Sequence, residues 1–181
     1  MNSRVFAIEM LPICSISIST TKRFIVTTKM VVLPLRLALV LRSPTRSLNL
    51  CKQVADSIYL REPNAKIIIM GDLNDDPFNN SCAVILGAKK TREEVPAQGF
   101  FNTMWQKLDR GIGSLAYQGS WNLFDQIIIS EPLMNAKVED GKWVYWKSQI
   151  FNKPFLTVQE GKDKGTPFRT VKSGVWQNGY G

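Results

Sequence analysis

The chain has 181 residues and not one of them is histidine. That removes the usual side chain for proton transfer and metal ligation near neutral pH. Cysteine is nearly as scarce. Cys14, Cys51 and Cys82 lie far apart and form no C-x-x-C pair, which argues against a zinc site of the usual kind and leaves buried free thiols as the expectation. Long apolar runs are lacking too. Met30 to Leu41 is short for a membrane-spanning helix and is interrupted by Pro34 and Arg36. Residues 5–18 fail as a signal-peptide core because Glu9 and Pro12 break the run. Glycine and aspartate are missing from residues 1–41 altogether.

What is present is the composition of a folded domain: 44% hydrophobic and 21% charged residues, with five Trp and nine Phe. That is enough apolar mass for one domain with a core. The net charge of +8 is unevenly placed. Seven of the 23 Lys/Arg and one of the 15 acids fall in residues 1–50, so that segment carries +6 and the rest only +2. The charge therefore gives little support to nucleic-acid binding by the later part of the chain.

Texture divides the chain near residues 42–47. Residues 1–41 are rich in Ile, Val, Leu, Ser and Thr, strand-like in composition but without turn chemistry between the runs. We read 1–41 as an atypical, non-native segment and 42–181 as the domain proper. Ser47 to Leu60 has Leu50, Val54 and Ile58 at helical spacing, with Ser47 as the N-cap. Pro63-Asn64 ends that helix, and Ala65 to Met70 follows as a buried strand. A short helix is expected near Ser81–Leu86, another over Phe101–Leu108, and strands at Leu115–Gln118, Ile127–Ile129 and Lys142–Trp146. Residues 159–168 read as an exposed loop.

Two blocks carry chemistry. In Gly71-Asp72-Leu73-Asn74 a carboxylate and an amide stand two residues apart where a buried strand ends. If the extended geometry persists, they share one face and can position a water and an oxyanion. Read alone, the block also fits a strand followed by an Asx-rich turn. The second block, Trp121-Asn-Leu-Phe-Asp125-Gln-Ile-Ile-Ile-Ser130, sets a carboxylate at the start of a strand.

Taken in this order, the two blocks resemble the endonuclease/exonuclease/phosphatase family, metal-dependent phosphoesterases related to DNase I. Its strand ending in Gly-Asp-x-Asn is matched by Gly71 to Asn74, and its Asp-Tyr-Ile strand start by Asp125-Gln126-Ile127. Asp75-Asp76-Pro77 and the Trp-Asn-Leu-x-Asp-Gln form look like a bacterial branch. The resemblance covers Arg42 to Gly181. It implies an α/β fold of two packed mixed β-sheets flanked by helices, a DNase I-like four-layer sandwich, here partial. It also implies Mg²⁺ and a phosphate-ester substrate, nucleic acid among the candidates, with the catalytic set Asp72, Asn74 and Asp125. Asp72 would orient the attacking water, Asn74 would bond the scissile phosphate, and Asp125 would orient a histidine.

The sequence departs from that pattern. The Ser-Asp-His segment expected near the C-terminus is absent, and Glu9 lacks the Asn that precedes the family's metal-binding Glu. The expectation is an incomplete member, and the alternative to catalysis is an inactive remnant or binding module that keeps the sheet scaffold. Trp105, Trp121, Trp143, Trp146 and Trp176 read as core residues before they read as stacking platforms for a nucleotide. Lys89-Lys90-x-Arg92 reads as a solvated helix end.

Overall fold

The computed structural model describes residues 6–11, 30–34, 43–137 and 143–179. Its centre is a five-stranded mixed sheet in the order β2-β3-β8-β5-β4. These strands are β2 (Met30–Pro34), β3 (Lys66–Asp72), β4 (Ala88–Lys89), β5 (Phe100–Asn102) and β8 (Asp125–Ser130). β2 runs parallel to β3 and β4 parallel to β5, whereas β8 is antiparallel to both of its neighbours. A second sheet pairs β1 (Phe6–Leu11) with β9 (Val144–Ile150). The hairpins β6 (Leu115–Tyr117) with β7 (Ser120–Asn122), and β10 (Val171–Lys172) with β11 (Val175–Trp176), complete the strands. The expected α/β architecture of packed sheets and helices is therefore what the chain adopts.

Two parallel strands need a crossover, and α1 (Pro44–Tyr59) lies in the one between β2 and β3. Its N-cap is Ser43, whose hydroxyl accepts the Arg46 N–H. Ser47, expected as the cap, is a buried interior residue that donates to the Ser43 carbonyl. The buried stripe also differs from the expected one. Leu48, Cys51, Ala55 and Tyr59 face the sheet while Leu50 and Val54 are exposed. The buried stripe is thus offset by about one position and carries the small residues Cys51 and Ala55, while Ile58 packs against the same core from its edge. Both Cys51 and Cys82 are buried free thiols, and burial pushes each up to about 11; Cys14 lies outside the described residues.

Alternation along the central strands makes two cores. Ile67, Ile69, Phe100 and Ile128 pack under α1. Ile68, Phe101, Ile127 and Ile129 point the other way and meet Trp143, Tyr145 and Ile150 at the second sheet. Each fully buried isoleucine contributes about 1.5–3 kcal/mol of hydrophobic free energy. Polar bonds lock the sheets together: Lys66 Nζ donates to the Trp143 carbonyl at 2.5 Å, and Lys107 Nζ to Ser148 Oγ at 3.2 Å.

Several expectations are corrected. The helix expected over Phe101–Leu108 is β5 followed by the short α2 (Trp105–Asp109), because the Phe100–Asn102 segment pairs with β8. The short helix expected near Ser81–Leu86 is present, as a π-helical turn over Ser81–Ile85. Lys89 and Lys90 stand at the end of β4 rather than at a helix end. Lys90 pairs with Asp109 at 2.7 Å, and Arg92 lies over the rings of Phe101 and Tyr145. Trp146 and Trp176 are exposed and Trp105 and Trp121 half-buried outside both cores, so the core reading of the five tryptophans holds only for Trp143, which packs against a core.

Candidate functional site

The site is assembled where β3 and β8 meet at one end of the central sheet. Gly71 has φ +145°, a conformation that side-chain-bearing residues rarely adopt, so glycine is what lets β3 turn there into the next residue. Asp72 is the last residue of β3 and Asp125 the first of β8, and the two stand directly opposite each other in the antiparallel ladder. Directly opposed residues bring their Cβ atoms to about 4.5–5.5 Å. Both belong by alternation to the face that carries Met70 and Ile127, the face turned to the second sheet. Asp72 is exposed and Asp125 half-buried.

Asn74 does not continue the alternation. The extended geometry stops at Asp72, and Asn74 is left-handed with φ +51°, a conformation that asparagine tolerates better than most residues. Its backbone N–H donates to Asp72 Oδ1 at 3.0 Å, so the turn itself holds the carboxylate. The Asn74 side chain is exposed. The expected shared face thus gives way to an Asx turn that still leaves Asn74 beside Asp72.

Asp75 and Asp76, read from sequence only as part of a motif, are structural. Asp75 receives Asn79 Nδ2 at 2.8 Å and Ser81 Oγ at 2.5 Å, which fastens the π turn. Asp76 is buried, and its Oδ1 accepts the Leu123 N–H at 2.6 Å. Burial pushes the Asp76 carboxyl above its ordinary range, against the pull of the Leu123 N–H, and the charge of Asp75 adds to the rise.

The approach to Asp125 is just as constrained. A Cβ on Gly113 would lie 2.5 Å from the Asn122 carbonyl oxygen and 2.9 Å from Trp121 Cβ. Only glycine lets the chain pass there and deliver Ser114, whose Oγ accepts the Asp125 N–H at 3.2 Å. Beside this point Ile112, Trp121, Ile150 and Asn152 help to line a cavity of about 130 Å³.

One comparison identifies the family. The model of the Endonuclease/Exonuclease/phosphatase family matches residues 42–181. The chain belongs to the endonuclease/exonuclease/phosphatase family. That family is one of hydrolases of the phosphoesterase and nuclease type. Neither the curated proteins nor the solved structures contain a match.

Family members of this kind work with a divalent metal, so the ligand supply matters. Among the described residues no three His, Cys, Asp or Glu side chains gather to hold one. Asp72 and Asp125 are a pair. A hard cation such as Mg²⁺ takes one or two carboxylates and fills its other positions with water and substrate oxygens, so the pair meets the minimum such an ion needs. Among the described residues no helix is long and apolar enough to cross a membrane.

Proposed function

We propose that this family member cleaves a phosphate ester with activated water and Mg²⁺, with Asp72, Asn74 and Asp125 as its working residues, and that its Asp-Asp-Pro and Trp-Asn-Leu-x-Asp-Gln forms mark a bacterial branch. The observation that supports this reading most is the opposed pair Asp72 and Asp125, with Asn74 held against Asp72 by its own backbone. Asp72 accepts a proton from water or orients it for in-line attack. The Asn74 amide, on the residue whose backbone N–H bonds Asp72, would donate to a phosphoryl oxygen. With Asp72, Asp125 would hold a cation at the strand ends. A cation held there supplies polarisation of the phosphoryl oxygen. Nucleic acid is the substrate we would test first.

The experiment is a Mg²⁺-dependent phosphodiesterase assay on the purified chain, using bis(p-nitrophenyl) phosphate and DNA. Turnover that disappears with chelator and with Asp72→Ala supports the proposal. A second reading, a scaffold that keeps the sheet without the chemistry, is favoured by the missing histidine. Absence of turnover at any divalent-cation concentration would leave that reading standing.

A further inference from the structure

On the helix-covered face of the central sheet, Asn102 and Gln126 are both fully buried, 0 and 1% exposed. Asn102 Nδ2 donates to Gln126 Oε1 at 2.7 Å, and Gln126 Nε2 donates to the backbone carbonyl of Asp75 at 2.6 Å. Asn102 Oδ1 accepts the Met104 N–H at 3.0 Å. The relay runs from the end of β5, through the second residue of β8, to the loop that carries Asn74. The same loop is tied twice more, by the Leu73 N–H to the Phe124 carbonyl at 2.8 Å and by Asp76 to the Leu123 N–H at 2.6 Å. Residues 73, 75 and 76 are therefore each fastened to the 123–126 segment, and the left-handed Asn74 is held between them.

We propose that Gln126 is a positioning residue of the site. Its carboxamide fixes the Asp75 carbonyl and so sets where the Asn74 amide stands relative to Asp72 and Asp125. An amide suits the task because one end accepts and the other donates, so the polarity of the relay is fixed by Asn102. The neighbouring residue Asp125 points to the opposite face, which puts one chemical and one supporting group on successive residues of the same strand. The functional half of this inference rests on the phosphoester-hydrolase reading; the geometric half does not.

The test uses Gln126→Leu, Gln126→Met and the control Ile128→Val, which lies on the same strand and face. Leucine or methionine at 126 removes the acceptor of the buried Asn102 N–H and the donor to the Asp75 carbonyl. Amide hydrogen exchange of Leu73 and Asn74 is read against the parent.

In Gln126→Leu and Gln126→Met, exchange should be faster than in the parent by about tenfold or more, from the loss of one buried hydrogen-bond partner, and Ile128→Val should follow global stability alone. With bis(p-nitrophenyl) phosphate and Mg²⁺, kcat should fall about tenfold in both Gln126 variants at unchanged KM. Loop exchange in both variants that merely tracks the control would overturn the inference. If the parent shows no turnover, the hydrolase reading falls and the exchange data judge Gln126 alone. If the parent turns over and Gln126→Leu keeps its kcat, the positioning role falls and the hydrolase reading survives. Should Gln126→Leu fail to fold, Gln126→Met, unbranched and close to glutamine in length, carries the test.

Discussion

At the open end of the central sheet, one face seals its polar side chains and the other leaves them at least partly exposed. Under α1, Asn102 and Gln126 bond each other and the loop backbone, and neither is exposed. On the opposite face, Asp72 and Asp125 stand at neighbouring rungs, the first exposed and the second half-buried. A buried polar group must find a partner or it destabilises the fold; an exposed carboxylate can stay available to substrate. The same strands thus build both a sealed face and an open edge, and the like charges directly opposite each other, unfavourable in a sheet, stand on the open edge.

The sharpest break of that contrast is Asp72→Ala. In the hydrolase reading, turnover should fall about 10²–10⁴-fold, while the urea midpoint stays where it is or rises, because the side chain is exposed. A parallel loss of stability would mean that the open edge is structural after all.

Next in size are two helix variants that separate buried from exposed positions. Leu48→Ala should cost about 2–5 kcal/mol in urea unfolding, since Leu48 is 0% exposed. Leu50→Ala, on the outward side, should cost no more than about 0.5 kcal/mol. Equal costs would put the helix in the rotation that the sequence alone suggests.

A smaller effect tests the clip at Asp76. Its carboxyl is raised by burial, so the folded chain holds that proton more tightly than the unfolded chain does. The stabilisation is complete below the unfolded pKa and is lost as pH rises through the higher folded one. Asp76→Asn keeps an oxygen for the Leu123 N–H and removes the titration. Its stability relative to the parent should therefore increase with pH across the acid range, as read by urea midpoints.

The smallest effect concerns the opposed carboxylates. Without divalent cation, Asp72→Asn should raise stability by about 0.2–1 kcal/mol by relieving the cross-strand repulsion. Adding Mg²⁺ should raise the Tm of the parent more than that of the variant. The same Mg²⁺ response in both would separate Asp72 from any cation.

Much of the central strand pair was readable in the chain. The apolar runs 67–70 and 127–129 announce buried strands, and the polar residues next to them announce where those strands open. The family also followed from two short blocks and their order. The roles inside the blocks were not readable. Asp75 and Asp76 look like further acids of a site, yet both are spent on the Ser81 turn and the Leu123 amide. Gln126 looked like a mere variant of a strand start, and its buried bond to a loop 51 residues away leaves no local trace. The helical stripe on α1 was misjudged by one position because Leu50, Val54 and Ile58 satisfy the same period as the residues that face the sheet.

The sequence by itself determined the strand ends that carry Asp72 and Asp125 and the family to which they belong, because alternation and short-range motifs are local. Only the tertiary structure decided that the two carboxylates stand opposite one another, that Asn74 leaves the strand in a left-handed turn, and that a buried amide on the other face holds that turn. Those facts depend on which distant segments become neighbours, and pairing between segments some 50 residues apart is set by the packing of the whole sheet.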